Sequence, residues 1–261
     1  MGFTIGLTFY LVLLSYIFWP GTLGAEEIDH RAEYRRCMSL AAEKPDKGFE
    51  VAIAWRGLGG GDAAEHCTAV SLLELKHYDE AAKRFEFLAQ NTVAEPEFRA
   101  QLLGQAAQAW LLSGKLQRAE NVATAALRLA PMEIDLLIDR AQVSAARSDH
   151  GRSIVDLNKV LDQNPNHADA LVFRASALRL SGKNSVAAID VDRALAIEPE
   201  HPEGLLERGI LRRLLKDKIG ARADWLQVIV TSPGTVAAES ARTNLQRMDD
   251  PPQKNIKKAT D

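Results

Sequence analysis

Four prolines, Pro131, Pro165, Pro199 and Pro233, recur at a spacing of 34 residues, each closing a stretch with the same order of small and apolar positions. Proline has no amide hydrogen for a helix interior and pushes the residue before it out of the helical region. A proline at a fixed period of this length therefore punctuates copies of one helix-turn-helix unit.

Placing each proline at position 32 starts the copies at Ala100, Ile134, Ala168 and Pro202. Position 8 is then Ala107, Ala141, Ala175 and Gly209, and position 20 is Ala119, Ser153, Ala187 and Ala221. Side chains this small mark where two paired helices approach closely. Position 4 carries Leu103, Leu137, Leu171 and Leu205, and position 28 carries Leu127, Leu161, Leu195 and Ile229, which puts bulk on the faces that stack against neighbouring copies. Gly114 and Gly182 fall in the turn between the paired helices, where a left-handed backbone costs glycine least.

The pattern resembles the tetratricopeptide repeat family. The resemblance implies an all-α fold, an α-solenoid of stacked antiparallel helical hairpins, and a role in binding other proteins. An earlier copy at 62–95 keeps Ala69, Tyr78, Ala81 and Phe85 at positions 8, 17, 20 and 24, but has Val93 where the proline belongs. The expected organisation is a degenerate helical hairpin within 26–61, repeats at 62–95, 100–133, 134–167, 168–201 and 202–235, a capping helix at 236–249 and a disordered tail at 250–261. One hairpin cannot bury its apolar face alone, so the copies must stack and the end elements must present a polar outer side.

Residues 3–19 form an uncharged apolar run, followed by Pro20-Gly21, the small residues of Leu23-Gly24-Ala25, and then Glu26-Glu27. This reads as a secretory signal over 1–25, cleaved after Ala25, although no Lys or Arg precedes the run. At 17 residues the run is at the short limit for a membrane span, so an uncleaved anchor is the alternative. The expected compartment is the periplasm if the source is Gram-negative. Cys37 and Cys67 lie 30 residues apart in consecutive first helices, and an exported chain with an even cysteine count favours a disulfide over two buried thiols. Closing that loop is worth on the order of 3 to 4 kcal/mol in the chain-entropy model.

The net charge of −3 and the dispersed lysines and arginines leave no basic stripe for nucleic acid; the short cluster Lys254, Lys257 and Lys258 falls in the tail. A second register is more specific. Arg140, Arg174 and Arg208 occupy position 7, and Asp156, Asp190 and Asp224 occupy position 23. The two earlier copies have Thr68 with Arg84 and Ala106 with Val122, so the Arg and the Asp come together or not at all. One reading is a ladder that recognises anionic groups. The favoured one is a half-buried ion-pair ladder, closed within a repeat or between neighbours, that fixes hairpin packing.

In the resembled fold, positions 2, 5, 9 and 12 of each first helix line the inner surface. Here these are Gln101, Gly104, Gln108, Leu111; Asp135, Ile138, Gln142, Ala145; Asp169, Val172, Ser176, Arg179; and Glu203, Leu206, Ile210, Arg213. The expected partner is a protein or peptide segment, with Leu111, Ile138, Val172, Leu206 and Ile210 supplying burial and Gln108, Gln142, Arg179 and Arg213 orienting it. Relatives that clamp a terminal carboxylate place Lys at position 5 and Asn at position 9, and none of these repeats does so. Asp135, Asp169 and Glu203 form an acidic row at the helix starts, where acids also complement the helix dipole and where Asn166 and Asp169 read as a cap-like pair.

Gly57-Leu58-Gly59-Gly60-Gly61 lacks the Gly-Lys-Ser/Thr of a phosphate loop and reads as the end of the helix containing Trp55, with Asp62 and Glu65 starting the next. The histidines His30, His66, His77, His150, His167 and His201 are scattered without metal-ligand spacing, and the last four are expected in solvated turns and caps. No nucleophile sits in a strained-turn motif. The chain therefore reads as a non-enzymatic scaffold with no cofactor. The alternatives are a membrane-tethered assembly factor that keeps residues 3–19, and a homodimer formed through the last helix or the Ala-rich convex faces.

Overall fold

The structure, a computed structural model, describes residues 28–249. The leader expected at 1–25 and the tail at 250–261 lie outside the described residues.

The described chain is helical from end to end. Hairpin α1 (His30–Glu43) and α2 (Pro45–Gly57) is followed by α3 (Gly61–Glu74) with α4 (Tyr78–Asn91), and α5 (Pro96–Leu112) with α6 (Leu116–Leu129). Then come α7 (Ile134–Ala146) with α8 (His150–Gln163), α9 (Ala168–Leu180) with α10 (Asn184–Ile197), α11 (Pro202–Leu214) with α12 (Lys218–Thr231), and α13 (Val236–Asp249) alone.

The turn inside each of the five central hairpins is built the same way. Lys76, Gly114, Ser148, Gly182 and Lys216 all have positive φ, between 63° and 77°. The next residue then donates its amide to the carbonyl five back, as in Lys115 to Trp110 and Lys183 to Leu178, both at 2.9 Å. That is the Schellman closure, which satisfies otherwise orphaned carbonyls and forces the left-handed residue even where it is not glycine. At the other end, α6, α8, α10 and α12 each stop two residues before a periodic proline. The intervening Ala130, Asn164, Glu198 and Ser232 have φ near −130° and ψ from 54° to 89°, the extended backbone a following proline imposes.

The first repeat lacks that proline, yet α4 still ends at Asn91, with Thr92 extended at ψ 145°. The consequence appears in the next helix. α5 runs 17 residues against 13 for α7, α9 and α11. Its extra first turn, residues 96–99, is the segment that falls outside the 34-residue register.

Inside each hairpin the small positions are buried: Ala107, Ala119, Ala141, Ser153, Ala175, Ala187 and Ala221 are all at most 1% exposed. Gly209 stands where the other repeats have alanine because Trp225 fills the space. A Cβ at Gly209 would lie 2.3 Å from the indole nitrogen. First helices also approach one another along the stack, at α1–α3, α5–α7, α7–α9, α9–α11 and α11–α13, whereas second helices reach each other through long side chains, as Arg118 of α6 on Glu86 of α4 and Arg152 of α8 on Glu120 of α6. The first helices therefore line the inner, concave side of the array.

A buried disulfide joins Cys37 of α1 to Cys67 of α3, with Cα atoms 6.2 Å apart. It ties the terminal hairpin to the stack where the repeat pattern is weakest.

The Arg and Asp register closes within each hairpin. Arg140 donates from Nε and Nη2 to the two carboxylate oxygens of Asp156, both at 2.7 Å. Arg174 does the same to Asp190 at 2.7 and 2.8 Å, and Arg208 to Asp224 at 3.2 and 2.8 Å. All three aspartates are buried, and Arg174 also reaches back to Asn158 of the preceding hairpin at 2.8 Å. The first repeat reverses the sense, with Arg84 of α4 on Glu65 of α3 at 2.8 Å. In the second, Trp110 occupies the core, its Nε1–H bonded to Glu86 and the Arg118 guanidinium 4.0 Å from its ring centroid.

With both oxygens of each aspartate engaged, these arginine heads serve packing and not an outside anion. Arg174→Ala leaves Asp190 buried and uncompensated and is expected to cost about 3 to 5 kcal/mol, whereas Arg174→Met with Asp190→Leu recovers most of it. Urea unfolding followed by circular dichroism measures both, and an unchanged midpoint for Arg174→Ala contradicts the packing role.

Candidate partner-binding groove

The concave face divides into two halves with different chemistry. In the C-terminal half, the residues expected to meet a partner are largely occupied by the protein itself. Val172 is 3% exposed and packs into the core, with its Cγ2 close to Gly204 of α11. It therefore offers no surface to a partner. The Arg179 guanidinium is bonded to buried Glu207 of α11, with Nη2 at 3.2 Å from Oε2. Ser176, Leu206 and Ile210 are half-buried between the same helices, and Arg213 is exposed at the far end of α11.

The acidic row Asp135, Asp169 and Glu203 is exposed in the first turns of α7, α9 and α11. Asp169 accepts from Nε2 of His201 at 2.9 Å, while Nδ1 of the same ring accepts from the Gly204 amide at 3.3 Å. His201 is thus a buried cap for α11 and not a solvated turn residue. His167, not Asn166, caps α9, accepting from Ala170. Asp62 makes no cap either: α3 starts from Gly60, which is packed against the Trp55 indole.

In the N-terminal half the inner face is open. Gln108 donates from Nε2 to Asp139 at 2.6 Å and to Gln142 at 3.2 Å, which ties α5 to α7. Above this pair lies a cavity of 380 Å³ walled by Leu73 of α3, Gln101, Gln105 and Gln108 of α5, and Glu133, Asp135, Leu136 and Asp139. Gly104 lets α5 approach α7 closely at its floor. A Cβ there would meet Leu136 Cδ2 at 2.5 Å and Asp139 Oδ2 at 3.2 Å. Leu111 and Ile138 are half-buried nearby on α5 and α7.

A second cavity of 460 Å³ lies between α1, α3 and the start of α5, walled by Tyr34, Asp62, Ala63, His66, Thr92, Val93, Ala94 and Phe98. The buried His66 ring joins the two. Tyr34 Oη lies 3.0 Å from Nδ1, and Nε2 lies 3.0 Å from Gln105 Oε1. Both contacts suit a neutral ring that carries its proton on Nε2, and burial holds the His66 pKa below its ordinary value. The adjacent Cys37–Cys67 bridge holds α1, and so Tyr34, against α3.

Burial pushes Asp139 up to about 6, with Asp135 adding to the rise and the Gln108 hydrogen bond opposing it. Tyr34, His66, Phe98, Gln105 and Asp139 were not among the residues expected from the repeat positions. For Phe98 the available signal is the break in the 34-residue period at 96–99; nothing in the repeat pattern distinguishes the other four. Among the described residues no three His, Cys, Asp or Glu side chains converge to hold a metal ion.

By sequence, no protein-family model and no curated protein matches the chain. Solved structures do match its fold. TTC0263, a thermophilic TPR protein of Thermus thermophilus, superposes with a TM-score of 0.60 at 18% identity, over 71% of this chain and 100% of that one. The chain has the tetratricopeptide-repeat fold. A TPR protein from Parabacteroides merdae ATCC 43184 aligns at TM-score 0.54 and 20% identity, over 84% of this chain and 74% of that one. YrrB, a TPR protein with an unusual peptide-binding site, aligns at 0.50 and 15%, over 69% and 91%.

In this TPR array the Asp139 carboxylate is a liability to folding. A carboxyl whose folded pKa is raised binds its proton more tightly when folded, so its ionisation destabilises the fold as pH rises from about 4 through about 6. Asp139→Asn keeps an acceptor for Gln108 and is expected to stabilise the protein by about 2 kcal/mol at pH 8, the gain shrinking as pH falls toward 4. Thermal melts at both ends of that range measure it; no gain at pH 8 contradicts the electrostatic cost.

Proposed function

We propose that the chain is a non-enzymatic interaction scaffold that holds an extended segment of a partner protein along the N-terminal half of its concave groove. The observation that carries this reading is the pair of adjoining inner-face cavities, 380 and 460 Å³ in volume, joined through His66 and Gln105. Concave, mixed apolar and polar surfaces of this kind suit side-chain capture. The TPR relative described as carrying a peptide-binding site supports the class of ligand. A phage-displayed peptide library panned on the protein tests it. Retained clones are expected to weaken at least about tenfold on Phe98→Glu and to ignore Ile189→Glu on the outer face, where that side chain is 61% exposed. The opposite pattern moves the site to the convex side.

The same reading places the protein in an oxidising compartment, exported through residues 1–25. The buried Cys37–Cys67 bridge supports this, because such bonds persist where thiols are oxidised. Mature protein from its native host is expected to begin at Glu26 with no free thiol. An intact first segment points instead to a retained anchor, and two free thiols exclude the compartment.

A further inference from the structure

The apolar cavity between α1, α3 and α5 leaves large hydrocarbon surfaces in water. Val93 is fully exposed, and Phe98, carried on the extra turn of α5, is 39% exposed beside it. Tyr34 and His66 form the opposite wall and are locked by their mutual hydrogen bond. One apolar side chain would cover this surface, but the shape alone does not say what it belongs to.

The charge next to it does. Across Gln105, the neighbouring cavity presents Glu133, Asp135 and Asp139, and its wall includes no cationic side chain. Every other buried or half-buried carboxylate among the described residues has a cation within 4.0 Å, as Glu120 has Arg152 and Glu207 has Arg179. Asp139 has only the neutral Gln108 amide. A desolvated carboxylate lacking a countercharge is costly, and a guanidinium brought by a partner would relieve the cost while donating to several oxygens at once. The missing side chain at Gly104 leaves α5 close against Asp139, with the rest of the space open toward the groove.

We infer that the apolar cavity seats one apolar side chain of an extended partner segment, and that an arginine of the same segment lies over Asp139. This rests on the groove reading above. Lysine, a point charge without the planar fork, fits the spread of carboxylates less well.

The test uses blocked decapeptides, each with one leucine and one arginine at varied spacing, and a matched set in which uncharged citrulline replaces arginine. Binding to the full chain is read by fluorescence anisotropy. At least one arginine peptide is expected to bind, its citrulline twin to bind at least about tenfold more weakly, and Asp139→Asn and Phe98→Glu each to lose a similar factor. A melting curve for Asp139→Asn verifies that the loss is not unfolding. If citrulline peptides bind as well as arginine peptides and Phe98→Glu still abolishes binding, the arginine assignment fails and the groove stands. Binding indifferent to both variants overturns the groove as well. If no arginine peptide binds at millimolar concentration the inference is wrong, and the panned phage clones alone then decide the groove.

Discussion

Each hairpin depends on two helices meeting at side chains of one or two heavy atoms. Ala107 against the Ala119 side, Ala175 against Ala187 and their equivalents are fully buried, and a larger group at any of them would force the backbones apart. Because each hairpin closes on the same small contact, the Leu residues at the stacking positions recur at the same height and face. The hairpins can then pile with little change of geometry, and the first helices come to line one continuous surface. Gly209 tests the rule by exception: where position 24 grew to a buried Trp225, position 8 shrank from alanine to glycine.

Electrostatics is arranged around that packing in two opposite ways. Within α7–α12, each buried aspartate is held by an arginine sixteen residues before it, and both carboxylate oxygens are satisfied. Such pairs contribute modestly as long as they are complete and become costly when one partner is lost. Asp139 is the opposite case. It is desolvated on the concave face with an amide for a neighbour and a second carboxylate nearby. Perturbed carboxylates of this kind cluster at functional sites, where stability is traded for activity.

The two cavities arise where the repeat is least regular. α5 starts four residues ahead of its register, carries Phe98 on the added turn, and meets α3 through the His66–Gln105 hydrogen bond. The disulfide braces the same region from the other side. Downstream, where the period holds, α9 and α11 pack tightly enough to bury Val172, His201 and Glu207. Both open cavities border α5, the helix whose first turn lies outside the period.

The periodic prolines and the small residues at two fixed points determined the helix boundaries, the hairpin topology and the solenoid, because these follow from local backbone chemistry and from contacts repeated at constant spacing. The Arg and Asp series was also visible in the chain, but whether its members close within a hairpin or between two depended on how far each helix rotates, which no spacing specifies. Val172, Arg179 and His201 looked available by position and are engaged by the next repeat. Asp139 and Phe98 looked ordinary and line the open cavities. Burial and the presence or absence of a countercharge are properties of the space between helices, so only the assembled stack decided which of the inward positions remain free to meet a partner.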